Sequence, residues 1–130
     1  MTDVRELRLV LTVPDFDATL RLYRDALGLD VEAVWESEGG HVVLLSAGAA
    51  TLELVDEAHA AEVDRLEVGR RVAGPMRVAF RVDDSEAVAE RLEKAGAERV
   101  GGPVMTPWND RNVRLETPGG PQLTLFTPGE

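Results

Sequence analysis

The sequence contains no cysteine, which excludes disulfide bonds, thiolate nucleophiles and cysteine-ligated metal sites. Aromatic residues make up only 5% of the chain. Fourteen Lys and Arg face 24 Asp and Glu, and the net charge of −10 argues against nucleic acid and anionic membranes as partners. No segment has the apolar run of a signal peptide or the ~20 apolar residues that span a bilayer. These absences predict a cytoplasmic protein.

An internal repeat is the most informative feature that is present. The 130 residues, 44% of them hydrophobic, suffice for one domain, residues 1–130. The segment "LRLVLTVPD" at 7–15 recurs as "MRVAFRVDD" at 76–84, so that Arg8 matches Arg77. Both segments alternate as strands do. We therefore expect two copies of one structural unit, at 5–56 and 75–128, joined by a connector at 57–74.

Each copy continues as a helix and three strands. The first helix begins behind a capping Asp15 and ends before Gly28; the second begins at Asp84 or Ser85 and ends before Gly96. Turn residues separate the strands that follow. The polar connector predicts one helical turn around 58–66. The predicted strands lie at 30–36, 41–47, 50–55, 97–104, 111–117 and 122–127.

Strand alternation predicts which side chains share a face. Leu7, Leu9 and Leu11 should lie under the first helix, which leaves Arg8 on the opposite face. Arg77 follows in the second copy by the same argument. The fold class is therefore α+β, in which two βαβββ repeats form a cupped mixed sheet with the helices on its convex side.

Three segments carry a resemblance to a known family: "LRLVLTVPDFDATLRLYRDALGL", "MRVAFRVDDSEAVAERLEKAGA" and "NVRLETPGGPQLTLF". They resemble the vicinal oxygen chelate superfamily of glyoxalases, bleomycin-resistance proteins and extradiol dioxygenases. The resemblance implies the glyoxalase/bleomycin resistance fold and a homodimer. In metal-dependent members, two histidines and two carboxylates hold the metal. Here the matching positions are occupied by Arg8, Glu53, Arg77 and Thr124.

Of these four residues, only Glu53 is a usual metal ligand, because a guanidinium stays protonated and has no lone pair to donate. We therefore expect no metal and no cofactor, and an Arg–Glu–Arg charge cluster in their place. The cluster would either orient a ligand or fill an obsolete metal site with a structural salt bridge. Glu53 could also act as a general base, although two neighbouring arginines would weaken it.

Aromatic and imidazole side chains supply further candidates. Trp35 and Trp108 could form a stacking wall for a flat ligand, with core or dimer packing as the alternative for Trp35. His41 and Glu53 could form a weak metal site, whereas His59 is expected on a solvated helix face. The predicted ligand-binding residues are Arg8, Trp35, Glu53, Arg77, Trp108, Arg114, Thr124 and Phe126.

These features lead to a first hypothesis of a metal-free binding protein of the bleomycin-resistance type. It would sequester an aromatic or cationic small molecule, such as an antibiotic, in a dimeric cup, and it would not be an enzyme. The alternative is a metal-dependent glyoxalase-like lyase, isomerase or dioxygenase with atypical ligands. A third possibility is an accessory domain whose own side chains close the cup.

Overall fold

A computed structural model describes residues 3–37, 39–117 and 121–129 of the chain. The turn predicted between the last two strands falls partly at 118–120, outside the described residues. The strands are β1 (Val4–Thr12), β2 (Val31–Ser37), β3 (Gly40–Ala47), β4 (Ala50–Val55), β5 (Met76–Val82), β6 (Glu98–Met105), β7 (Asp110–Glu116) and β8 (Gln122–Pro128). The helices are α1 (Phe16–Leu20), which continues as a π-helix (Arg21–Ala26), α2 (Glu57–Glu67) and α3 (Ser85–Lys94).

The strands form one mixed sheet in the order β2-β3-β4-β1-β5-β8-β7-β6. β1 pairs with β4 and β5 pairs with β8 in parallel, while the other neighbours are antiparallel. The two halves of the chain meet at the β1–β5 pair, where Leu9 lies opposite Val78. The α+β class and the mixed sheet predicted from the sequence are confirmed.

Two of the helices cover one face of the sheet, which we call the outer face. α1 packs with Leu9 and Leu11, and α3 packs against Val78 and Phe80. Each helix begins at its predicted cap: the Asp15 carboxylate accepts the amide of Ala18, and that of Asp84 accepts the amide of Ala87. The first helix is nevertheless not α-helical throughout, because the amide of Leu27 bonds to the carbonyl of Leu22, five residues back.

α2 lies on the other face, which we call the inner face. Its Ala60 packs in a buried cluster with Val10, Ala79 and Phe126, whose side chains point away from α1 and α3. The sequence places the two repeat helices on the convex side, and α1 and α3 do share the outer face; its prediction of a single helical turn in the connector is wrong, because α2 is an 11-residue helix on the inner face. The buried stripe of α2 is half acidic, which hides it from a hydrophobic pattern: Ala60, Val63, Asp64 and Glu67.

The sheet curves around α2. This helix touches β3 near its start, and β6 and β7 near its end. In a flat sheet, β3 and β6 would lie about 29 Å apart at about 4.8 Å per strand, whereas 11 helical residues span about 16 Å. Both ends of α2 approach glycines closely: a Cβ at Gly40 would overlap Asp56, and a Cβ at Gly101 would overlap the carbonyl of Glu67. The inner face is therefore the predicted cup.

Among the described residues, no helix combines the length and the hydropathy that crossing a membrane requires.

Candidate functional site

Arg8 lies at the centre of the inner face and is held by two carboxylates. Its Nη1 donates to Glu53 Oε1 at 3.1 Å, and its Nε donates to Glu6 Oε2 at 3.0 Å. The guanidinium carbon also lies 4.8 Å from the centre of the Phe126 ring, in cation–π geometry. Thr51 donates a further hydrogen bond to Glu6 at 2.6 Å. Arg8 is thus fully paired and only 17% exposed.

Arg77 has a different environment. Its Nη1 donates to the hydroxyl of Thr124 at 2.7 Å, and no carboxylate in the described part of the chain forms an ion pair with it. Burial lowers the pKa of Arg77 and the nearby positive charge of Arg114 lowers it further, whereas the carboxylates of Glu67, Glu53 and Asp64 act to raise it. An arginine nevertheless remains charged near neutral pH. Arg77 is therefore a half-buried cation without an anionic partner among the described residues.

The structure corrects part of the predicted Arg–Glu–Arg cluster. Arg8 and Glu53 do form an ion pair, but Arg77 turns toward Thr124. Thr124 is 2% exposed and its hydroxyl oxygen already accepts from Arg77. Among the described residues, Arg77 consequently forms no ion pair, and the one side chain that it hydrogen-bonds, that of Thr124, is uncharged.

His59 comes from the first turn of α2 and lies over this face. Its ring contacts that of Trp108, with the two ring centroids 6.1 Å apart. Burial lowers the pKa of His59, Glu53 and Asp56 act to raise it, and Arg77 lowers it again. The imidazole therefore stays neutral at neutral pH. Its Nδ1 is shielded from solvent and has no hydrogen-bond partner among the described residues.

Trp108 extends from the turn between β6 and β7 and meets His59 above the cup. Burial raises the pKa of Asp110. The positive charge of Arg8 and a hydrogen bond from Trp108 act in the opposite direction and offset part of this rise. The indole is 38% exposed. Trp108 and His59 thus form a partial roof over the charged residues, with Trp108 supplied by the second repeat and His59 by the connector helix α2.

Arg114 occupies a second, fully buried charge cluster. Its Nη1 donates to Asp64 at 2.7 Å and its Nη2 donates to Glu67 at 2.9 Å, both on α2. Burial would raise the pKa of Asp64, but backbone amides of Ala73 and Val72 and the Arg114 guanidinium together lower it. Arg114 was predicted to contact a ligand. The structure instead places its 0% exposed side chain between the inner face and α2, where it anchors the helix.

The remaining predicted residues are more dispersed. Phe126 is 5% exposed and packs beneath Arg8. Trp35 lies opposite Val42 on the outermost strand, on the inner face but three strands away from Arg8. His41 lies on the outer face, where its ring is 5.8 Å from that of Phe16. The hypothetical His41–Glu53 metal site is therefore wrong, because the sheet separates the two side chains.

The residues present do not fit the metal of the metal-dependent relatives. Both histidine positions of the resembling pattern hold arginines, and the hydroxyl of Thr124 is engaged by one of them. In the part of the chain that the structure describes, no group of three His, Cys, Asp or Glu side chains is arranged to bind an ion. The chemistry of the cup must therefore be derived from its side chains.

An open groove of about 610 Å³ lies away from this cluster, at the starts of β5 and β8. It is lined in part by Val72, Met76, Glu116 and Gln122. Its described lining contains no cationic side chain and no histidine. We therefore place the candidate site at Arg8, Glu53, His59, Arg77 and Trp108, where charged groups converge.

Sequence reasoning missed His59 and the α2 carboxylates Asp64 and Glu67. A weak signal was available for the carboxylates, which share one face of α2 with Ala60 and Val63. No local signal placed His59 over the cup, because that position depends on where α2 packs.

The comparisons with known proteins agree with this fold. A model of the Glyoxalase/Bleomycin resistance protein/Dioxygenase superfamily matches residues 7–125. A search of curated proteins found no significant match. Methylmalonyl-CoA epimerase from Mycobacterium tuberculosis is 22% identical, with a TM-score of 0.71 over 100% of this chain and 92% of that chain.

Two further solved structures are similar. A variant of the Streptomyces coelicolor methylmalonyl-CoA epimerase, in complex with 2-nitronate-propionyl-CoA, is 21% identical with a TM-score of 0.70 over 98% of this chain and 96% of that chain. A superfamily member from Vibrio splendidus 12B01 is 14% identical, with a TM-score of 0.62 over 94% and 97%. At these identities the similarity establishes the fold.

The hypothesis of a metal-free binding protein of the bleomycin-resistance type is corrected by these comparisons. Several of the similar structures are methylmalonyl-CoA epimerases, which are enzymes of this fold. This fold is therefore not confined to proteins that only sequester a ligand. The metal-dependent enzyme that was the alternative hypothesis would need a set of metal ligands that the described residues do not provide.

Proposed function

The chain belongs to the glyoxalase/bleomycin resistance protein/dioxygenase superfamily, and we propose that it is an isomerase or lyase that moves a proton at a carbon next to a carbonyl group. The observation that carries this proposal is Arg77, a half-buried cation with no carboxylate partner in the described residues. The epimerases of similar fold support the same class of reaction.

Arg77 would supply the positive charge that a metal provides elsewhere in the superfamily. When a proton leaves the carbon beside a carbonyl, the C–H electron pair moves onto the carbonyl oxygen as an enolate. A fixed donor aimed at that oxygen stabilises the developing charge most strongly in a site that excludes water. Thr124 holds one end of the guanidinium, so its other N–H groups can face a substrate.

Arg8 is less suited to this role. Glu6 and Glu53 already neutralise its charge, through bonds to its Nε and Nη1. We therefore assign oxyanion binding to Arg77 and assign Arg8 the positioning of Glu53. The substrate class that fits is a small carboxylic acid or thioester with an acidic C–H bond beside its carbonyl.

The test is hydrogen exchange in D₂O. Wild-type protein is incubated with a panel of carboxylic acids and CoA thioesters that includes methylmalonyl-CoA, and mass spectrometry detects the incorporation of one deuteron. We expect exchange with at least one compound. Arg77→Met should lower its kcat/KM by about 10²–10³, the usual effect of losing an oxyanion donor.

Arg70→Gln is the matched control, because Arg70 is exposed and forms no hydrogen bond or ion pair with the candidate site among the described residues. Its exchange rate should equal that of the wild type. Exchange by Arg77→Met at the wild-type rate, or no exchange by the wild type above the buffer rate, would contradict the proposal.

A further inference from the structure

We propose that His59 is the residue that accepts and returns the proton in this site. The inference rests on the proposed function and deepens it, since it names the catalytic acid–base group that the charged cluster lacks. It is carried by three features of the described residues: the anchoring of His59, the lack of a partner for its Nδ1, and its neighbours in the cup.

The backbone of His59 is fixed at the start of α2. Asp56 caps the helix, and its carboxylate accepts the amide of His59 at 2.8 Å and that of His41, at the start of β3, at 3.0 Å. Gly40 lies directly against this turn, and any side chain there would collide with it. The imidazole therefore projects from a rigid point where helix and sheet meet.

One ring nitrogen of His59, Nδ1, makes no hydrogen bond to any described residue. Its Nδ1 is shielded from solvent without a hydrogen-bond partner in the described residues, whereas buried polar atoms are nearly always paired. The competing base, Glu53, already accepts a hydrogen bond from Arg8. A proton acceptor needs a lone pair that is not already engaged, and Nδ1 of His59 is a ring nitrogen with no hydrogen-bond partner among the described residues.

The charges around His59 suit proton transfer. Burial lowers the pKa of His59, which keeps the imidazole neutral at neutral pH and so able to accept a proton. Glu53, Asp56 and Glu62 oppose that shift, and Arg77 reinforces it. After the proton arrives, the carboxylate of Glu53 favours the imidazolium.

The proposed step balances without a further reactant. The substrate C–H bond breaks, its proton binds the neutral imidazole, and its electron pair becomes the enolate that faces Arg77. In D₂O the imidazolium exchanges this proton for a solvent deuteron and delivers the deuteron to the enolate carbon, so the substrate carries one deuteron and the enzyme ends in its original state.

The experiment compares two histidine variants in the deuterium-exchange assay. His59→Gln should lower kcat by about 10²–10⁴ with little change in KM. His41→Gln is the matched control, because His41 lies on the outer face, and it should keep the wild-type rate. Circular dichroism verifies that both variants are folded.

Chemical rescue separates a catalytic role from a structural one. Free imidazole should restore exchange in His59→Ala, and the restored rate should rise with the fraction of neutral imidazole. If the folded His59→Ala variant is not rescued, or if His59→Gln exchanges at the wild-type rate, the assignment of His59 is wrong.

The outcomes also distinguish this inference from the proposed function. If the wild type exchanges a compound and Arg77→Met loses that activity while His59→Gln keeps it, only the role of His59 is rejected. If the wild type exchanges no compound, both proposals are rejected.

Discussion

Arg8 and Arg77 occupy equivalent places in the two halves but differ in charge balance. Arg8 lies opposite Thr51 on a parallel neighbour, as Arg77 lies opposite Gln122. The next residue on the same face is Glu53 in the first half and Thr124 in the second. A carboxylate neutralises one guanidinium, whereas a hydroxyl orients the other without neutralising it. A single difference in side-chain type thus makes Arg77 the cation available to a substrate.

The lowered pKa of His59 predicts a pH dependence of stability. The unfolded state binds a proton at His59 more readily than the folded state, so the free energy of unfolding should fall as the pH drops below about 6.5. His59→Gln removes this contribution. Urea unfolding of both proteins between about pH 8 and pH 5.5 measures it.

The difference in the free energy of unfolding between wild type and His59→Gln should therefore change with pH below about 6.5 and level off at higher pH. Parallel curves across the whole range would show that His59 titrates alike in the folded and unfolded chains.

Among the elements, α2 has the greatest influence on the site. It brings His59 over the cup at one end, and its two buried carboxylates bind Arg114 at the other. Buried ion pairs hold only when their geometry is good and every charge is matched. The position of the catalytic imidazole therefore depends on a polar contact at the opposite end of the same helix.

Arg114→Met tests this anchoring. It leaves Asp64 and Glu67 without their shared cation, and we expect a loss of about 3–5 kcal/mol in the free energy of unfolding. Arg65→Gln, on the exposed side of α2, is the matched control, because its pair with Glu62 is solvated. Urea denaturation compares the two. Similar midpoints for both variants would mean that α2 is held by its apolar contacts alone.

At the scale of the whole molecule, the curved sheet and α2 enclose the charged residues between the two halves of one chain. The homodimer implied by the family resemblance stays a prediction. Several large apolar side chains are exposed in the segment from the π-helix to β2, including Leu22, Leu27 and Val34. Such side chains are typical of protein interfaces when they form a continuous patch.

Sedimentation equilibrium tests the oligomeric state. A homodimer would have twice the 14.1 kDa mass of the chain. Because Leu27 is 65% exposed, Leu27→Arg should lower the association constant without unfolding the protein. A wild-type protein that sediments as a monomer at assay concentrations would contradict the prediction.

The sequence by itself determined the strands, the outer helices and the side of the sheet on which Arg8, Glu53, Arg77 and Thr124 lie. These follow from local rules, namely the two-residue period of strands and the capping carboxylates of Asp15 and Asp84.

Only the tertiary structure decided where α2 packs, that Arg114 is buried, and that His59 reaches Trp108. Those features depend on contacts between residues far apart in the chain. The stripe of α2 that contains Asp64 and Glu67 can be buried because Arg114, on the sheet, neutralises the two carboxylates. Neither segment reveals that partnership alone, so the sequence could place Arg8 and Arg77 on one face of the sheet but could not place His59 over them.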